Sequence, residues 1–500
     1  IDGATPGIWV VDVDPASASR GTKIPASARF YPSLGCLGIL PLPGLVLRPG
    51  TRYAAIVTGE VRGSDGLPLA ADVELVRVGS LASSERVTGT ESLYGNALDA
   101  LVELEAVATK KDVSGIAVFT TSTMAEELAE LAERLRGQED APTLAIDAAS
   151  AAPYTAIVFG TEATPSLDDW LGTPQEDETG REWPGGDNPT GIAHDAIAAI
   201  GSGAFQVPSF LDSTTGHFER DPDGSIRVAA VALKIPVTIV IPKAPPPASG
   251  YPVIVNGHGL SNNRGSMLAL ANEFARAGFV TVGIDNVAHG ARLGIVDEMN
   301  NAPGSYQGPD GIPDEMPFPI KFFAYLEDFV AIRDNFRQTV LDQVSLIRLV
   351  KSPALDLTAF GTAAGVAAPT LDPNRIHYNG GSLGGIIGSM LVAVEPSIRA
   401  AVLEVPGGGF VHLITTGSAK MNMIVTTLIA GAFDVVGDER LDEHHPLVNL
   451  LAQTMEAGDP LAYASHVFSD RLVPALAPPN VLVTYAKGDE LLPNIATFAL

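Results

Sequence analysis

The sequence predicts an α/β protein built on a mostly parallel sheet, with a β-rich region in front of it. Three observations carry this. From Tyr251 onward, short apolar strands alternate with helical stretches, the order of a parallel sheet with helical crossovers. Gly380-Gly381-Ser382-Leu383-Gly384 matches G-x-S-x-G, after the strand Ile376-His377-Tyr378 and before Ile386, Ile387, Met390 and Leu391, which have the spacing of a buried helix. The first 80 residues show strand-like alternation at Gly7–Val13, Ser27–Tyr31 and Tyr53–Glu60, punctuated by turn residues such as Gly63-Ser64-Asp65-Gly66.

Five hundred residues exceed one ordinary domain. The expected division is a β-rich region at 1–80, a mixed α/β accessory region at 81–224, and a catalytic domain at 225–500. A net charge of −27 argues against nucleic acid or an anionic membrane surface, both of which require basic patches. Cys36 is the one cysteine, which rules out an intramolecular disulfide and a thiolate metal cluster. No motif calls for a cofactor or a metal. No apolar run approaches the ~18 residues of a membrane span. A start at Ile1 and the low Lys and Arg content fit a secreted or surface-tethered bacterial protein whose leader is absent.

In the first region, Arg48–Ala70 resembles the closing hairpin of bacterial immunoglobulin-like modules. Further on, Gly115–Thr120 reads as a strand. Thr123–Arg136 reads as a helix, with Thr123 and Glu126 as a capping box and Gly137 past its end. Asp168–Thr190 is an acidic loop whose Trp170 and Trp183 are expected to pack on the body of the domain rather than touch substrate. His194 and His217 stand alone, so no catalytic residue is expected before about residue 225. The functional expectation there is attachment, protein contacts or substrate presentation.

Ser225–Leu233 and Pro236–Ile241 read as an antiparallel pair. Tyr251–Asn256 is apolar enough to be buried on both faces. It leads into Gly257-His258-Gly259-Leu260-Ser261, the helix Met267–Ala277 and the strand Phe279–Ile284, which ends at Asp285-Asn286-Val287-Ala288-His289-Gly290. Phe322–Val350 is a long helical stretch. Ala400–Glu404 and Asn480–Tyr485 are the later strands, and Val405–Pro478 between them is a large insertion. Ligands in such sheets sit beyond the carboxyl ends of the strands, where these glycines and histidines fall.

In a chain with 51 glycines, G-x-S-x-G arises by chance on the order of 0.3 times, so its setting decides. A serine on a sharp strand-to-helix turn has its Oγ lifted above the sheet, and the helix behind it aims N–H groups at the turn. Gly380 and Gly384 leave room where a Cβ would collide with the neighbouring strand and helix. That setting makes Ser382 a candidate nucleophile.

Residues from about 225 onward resemble the α/β-hydrolase superfamily, and within it bacterial extracellular lipases and esterases with a β-rich N-terminal domain. The matching pieces are N-G-H-G-L (Asn256–Leu260), D-N-V-A-H-G-A-R (Asp285–Arg292), R-D-N-F-R-Q-T (Arg333–Thr339), G-G-S-L-G (Gly380–Gly384) and G-D-E-L-L-P (Gly488–Pro493). The resemblance implies ester hydrolysis of a small-molecule or lipid substrate through an acyl-enzyme. It makes Ser382 the nucleophile and Asp489 the acid of a triad, with Leu260 and Leu383 N–H groups as the oxyanion hole. His258 and Gly259 then support that loop. The acyl chain length, leaving group and oligomeric state are not legible.

Rival readings stand beside these. Asp489 also reads as a turn residue, and Glu490 is an alternative acid. His258 and His289 read as braces rather than bases, and His444-His445 as a surface pair rather than metal ligands. Pro309-Asp310-Gly311 and Asp221–Gly224 read as turns rather than calcium loops. The same fold also serves peptidases and thioesterases, or a noncatalytic surface protein. A dinucleotide site is excluded because Asn262 takes the third glycine position of G-x-G-x-x-G. The insertion at 405–478, with its apolar Met421–Ala430, is expected to cap an acyl pocket. The resemblance places the triad histidine after the acid, but none follows Asp489. The expectation is that the base lies C-terminal to Leu500, with His258 or His466 as fallback.

Overall fold

Alternation in the first stretch becomes one antiparallel sheet. The computed structural model describes residues 3–42, 44–183, 190–415, 441–473 and 477–500. The chain forms two compact units, Ile1–Met124 with Val436–Leu450, and Ala125–Val435 with Leu451–Leu500.

In the first unit the strand order is Cys36–Pro41, Lys23–Tyr31, Ile8–Asp12, Arg52–Thr58, Val113–Thr120. Successive side chains point to opposite faces. Val11, Ala54 and Ile56 therefore pack on Leu98 and Leu101 of the helix Gly89–Glu103, while Val10, Tyr53 and Ala55 form a second core on the other face. The sheet takes its last strand from residues beyond 80. Arg52–Thr58 pairs with Ile8–Asp12 and Val113–Thr120 rather than folding back on residues 61–70. Helices cover one face, and among the described residues no second sheet does. The immunoglobulin-like expectation is thus replaced by a single sheet with helices. Residues 441–450, expected to belong to a cap, join this unit. Asp442 pairs with Arg29 and accepts from Tyr31, and His444 Nε2 lies 2.8 Å from Ser27 Oγ.

The second unit carries an eight-stranded sheet in the order Asn480–Thr484, Ile398–Glu404, Leu371–Gly381, Tyr251–Gly257, Val280–Ile284, Leu233–Pro242, Ile197–Val207, Ile157–Gly160. The first five are parallel, Leu233–Pro242 runs against both its neighbours, and Ile157–Gly160 runs against Ile197–Val207. All seven residues of Tyr251–Gly257 are buried. Val237, Ile239 and Ile241 join a core with the helices Phe329–Lys351 and Leu383–Val394, whereas Val240 faces Leu268, Ala271 and Ala275 of Leu268–Arg276. Helices therefore cover both faces. Two expectations change. The sheet begins at Ile157, so the boundary expected at 224/225 falls inside it. Leu233–Pro242 pairs with Ile197–Val207, not with the segment before it.

Trp170 is buried, stacked 4.6 Å from Phe159, and donates from Nε1 to Asp310 Oδ2 at 3.0 Å. The side chain of Trp183 lies outside the described residues. Burial pushes the Asp310 carboxyl up to about 6, against hydrogen bonds from Ile312 N–H and Trp170 that pull it down. Its folded value lies above its ordinary one, so the stability it contributes is present at low pH and lost as pH rises through about 6. Asp310→Asn should make the fall in Tm between pH 4 and pH 7 smaller by roughly 2–4 °C. Equal falls in the two proteins would show that the carboxyl stays ionised throughout.

Candidate active site

The strand Leu371–Gly381 ends in the turn that its glycines permit, and the helix Leu383–Val394 starts at once. Ser382 is the residue between them, with φ 54° and ψ −117°, a backbone conformation an L-residue holds only under constraint. The constraint is visible on both sides. Ser382 N–H donates to Glu404 O at 2.8 Å, and Ser382 O accepts from Ile386 N–H at 2.9 Å. A Cβ on Gly380 would lie 2.5 Å from Gly384 O, and one on Gly384 would strike the Gly257 carbonyl. Tyr378, buried beneath, donates its hydroxyl to Gly384 O at 2.6 Å and fixes the first helical turn.

The loop after Tyr251–Gly257 lies against the serine. A methyl group on Gly259 would touch the Ser382 Cβ at 3.6 Å. Ser261 in this loop has φ 54°, in the left-handed region. Neither the Leu260 nor the Leu383 N–H has an acceptor among the described residues. Leu383 is the first residue of the helix that Ser382 opens, and Leu260 follows the glycine whose methyl position touches Ser382 Cβ.

His258 is buried, with Nδ1 2.8 Å from Gly259 O and Nε2 accepting from Asn286 N–H at 3.0 Å. Burial lowers its pKa, and Asp285 opposes that shift. With both nitrogens held by backbone, His258 has none to offer Ser382. His289 lies behind it, ring centroids 5.2 Å apart, with Nδ1 2.8 Å from Val287 O and its pKa lowered to about 4 by burial. The fallback base His466 has its Nδ1 on Asp470 O. Among the described residues, no side chain hydrogen-bonds the Ser382 hydroxyl. His194 pairs with Asp168 and His217 with Asp328. His445 is buried edge-on against Tyr31, which replaces the expected surface pair. Asp442, Glu443 and His444 do cluster, but Arg29 already neutralises Asp442.

Asp489 sits on the loop after Asn480–Thr484, two strands from the serine strand and at the same end of the sheet. Its Oδ1 accepts from Leu491 and Leu492 N–H at 2.8 and 2.9 Å, so it holds its own loop. Glu490 beside it is exposed. In the insertion, Met421–Ala430 lies outside the described residues. Asp459 is described, and it accepts from Gly409 and Phe410 N–H at 2.7 and 2.6 Å, tying down the start of Phe410–Thr415.

Arg264 escaped the sequence reading, and so did the roles of Asp285 and Asn286, which were read only as part of a motif. Arg264 and Asp285 form a buried ion pair at 2.6 Å that joins the far end of the serine-side loop to the next strand end, where Asp285 also accepts Arg264 N–H at 2.8 Å and Ala291 N–H at 2.9 Å. Asn286 holds His258. The motif around Arg333–Thr339 proves to be a buried seam. Asp334 accepts Phe218 N–H, Asn335 donates to Phe322 O, Gln338 accepts Phe210 N–H, and Asp342 pairs with Arg292. Polar residues on one helix thereby satisfy the backbone of the loops around it.

No family model and no curated protein matches the chain. Among solved structures, acetyl xylan esterase 1 from Thermoanaerobacterium sp. aligns with a TM-score of 0.38 at 15% identity, over 75% of this chain and 82% of that one. An acetyl xylan esterase from Paenibacillus sp. R4 gives 0.36 at 16%, over 76% and 93%. Acylaminoacyl peptidase from Pyrococcus horikoshii gives 0.32 at 12%, over 61% and 34%. At such scores the likenesses carry no argument. What stands is the topology itself: a mostly parallel sheet, helices on both faces, and a serine at the tight turn into a helix, which is the arrangement the α/β-hydrolase resemblance implied.

Proposed function

We propose that the chain is a serine hydrolase of the α/β-hydrolase type that cleaves carboxylic esters through an acyl-enzyme. The observation that carries this is the Ser382 turn, strained and flanked by the unspent N–H groups of Leu260 and Leu383. A general base oriented by Asp489 takes the Ser382 hydroxyl proton as Oγ attacks the acyl carbon, and the two N–H groups take up the charge on the tetrahedral oxygen. The base returns that proton to the departing alcohol, then takes one from the water that releases the acid from the serine. Donors fixed in place before the reaction need no reorganisation when the charge forms, which is why each is worth several kcal/mol. Esters are favoured over amides by the five motifs that resemble extracellular lipases and esterases. A fluorophosphonate probe tests the reading, since it should label the protein at Ser382.

Asp489 is proposed as the carboxylate that orients the base. Asp489→Asn separates this role from that of a turn residue, because Asn Oδ1 still accepts from Leu491 and Leu492. The expected result is a fall in kcat of about 10⁴ with Tm almost unchanged. An Asp489→Asn protein with wild-type kcat would leave the residue as a loop fastener only.

A further inference from the structure

Resting on the serine-hydrolase reading, we propose that Glu404 is a positioning residue whose carboxylate steadies the protonated base, on the side of Ser382 away from the oxyanion. Sheet order sets the two sides. Ile398–Glu404 and Tyr251–Gly257 flank the serine strand, one on each side, and both run parallel to it, so the three carboxyl ends stand in a row. The loop with Leu260 follows Tyr251–Gly257. Glu404 ends the other strand, in register with Gly381 and roughly 5 Å away across the ladder. Its carbonyl accepts Ser382 N–H at 2.8 Å, and its Oε2 lies 3.7 Å from where a Cβ on Gly381 would stand. One residue thus holds the serine backbone and sets a carboxylate beside it.

Charge decides what that carboxylate can do. As the serine attacks, negative charge grows on the acyl oxygen and positive charge on a neutral base such as an imidazole. A carboxylate on the oxyanion side would oppose the first, and on the opposite side it attracts the second. Glu404 is half-buried, and among the described residues no ion pair or hydrogen bond engages its side chain, so its charge is not already matched. Its register partners, Gly381 and Thr484, do not titrate. Lys487, Asp489 and Glu490 follow the outer strand, and Asp489 Oδ1 is bound to two N–H groups of its own loop. The backbone is strained here too. Val405, the next residue, is β-branched with φ 44°, and its N–H donates to Thr484 O at 2.9 Å. Such a conformation persists only where its surroundings impose it, and it gathers at functional sites.

The pH dependence of Ser382 phosphonylation by a fluorophosphonate, in the full chain with folding checked by circular dichroism, tests this. Glu404→Gln keeps the shape and removes the charge. It should move the acid limb of the rate profile about one pH unit lower, because a base without the carboxylate beside it holds its proton less tightly. The limiting rate at high pH should fall about tenfold, the same unit of stabilisation lost from the protonated base, with half-saturating probe concentration little changed. Glu404→Asp keeps the charge and should stay near the wild-type limb. A packing role would instead slow both variants and lower Tm without moving the limb. If the glutamine variant's limb stays in place, if its loss lies in half-saturation, or if the wild-type profile has no acid limb, Glu404 does not act on a base, while the serine assignment stands. If the wild-type chain is not labelled at Ser382, the serine reading fails and this inference with it.

Discussion

Ser382→Ala is expected to abolish fluorophosphonate labelling and, relative to an enzyme whose triad is intact, base included, to lower ester turnover by about 10⁶, with the fold intact. Size of effect and harmlessness to the fold share one cause. The hydroxyl makes no hydrogen bond among the described residues, so removing it leaves no buried partner unsatisfied. Yet its carbon stands at the point where strand, helix and the Gly259 loop converge. Substrate affinity should change little, because the oxygen matters only once the acyl carbon is attacked. Intact-mass measurement after probe treatment reads the result directly. An alanine variant that is still labelled to the same extent would move the nucleophile elsewhere.

The second large effect is on stability. Asp285→Ala should cost about 3–5 kcal/mol, because it strands the Arg264 guanidinium in the interior. The two side chains are 0% and 2% exposed, so no water can take the lost partner's place. The same carboxylate also receives the Arg264 and Ala291 N–H groups, which would be left without an acceptor. Replacing both ion-pair members together, Asp285→Leu with Arg264→Met, should recover more than half of the loss, since no charge then remains to be desolvated. Urea unfolding followed by circular dichroism gives both values. A single variant within 1 kcal/mol of wild type would show that the pair is hydrated after all.

What could be read in the sequence was local. The serine turn announces itself because its causes lie within a few residues: an apolar strand, two small residues around a serine, and an apolar helix. Tyr251–Gly257 was legible for the same reason. The extent of the sheet was not. Ile197–Val207 carries Gly201, Ser202 and Gly203 in its middle, which weakens its strand signal, and it earns its place by pairing with Leu233–Pro242. The hairpin expected at Arg48–Ala70 failed in the same way, because Arg52–Thr58 finds its partners far along the chain. Arg264 was invisible, since an isolated polar residue reads as surface, and Asp285 and Asn286 were legible as a motif but not in their bonding roles. Only the fold reveals that their partners are each other. Asp489 lay between these cases: its loop was expected, but the acceptor role toward its own backbone emerges only in three dimensions.

The first unit closes late in synthesis. Its sheet is complete once residue 120 has left the ribosome, yet Tyr31 waits for Asp442, 411 residues downstream. During that interval Arg29 on Lys23–Tyr31 lacks the carboxylate of Asp442. The first unit therefore gains these contacts only after most of the second unit has been made. A gene cut after codon 124 would express that domain without its final piece.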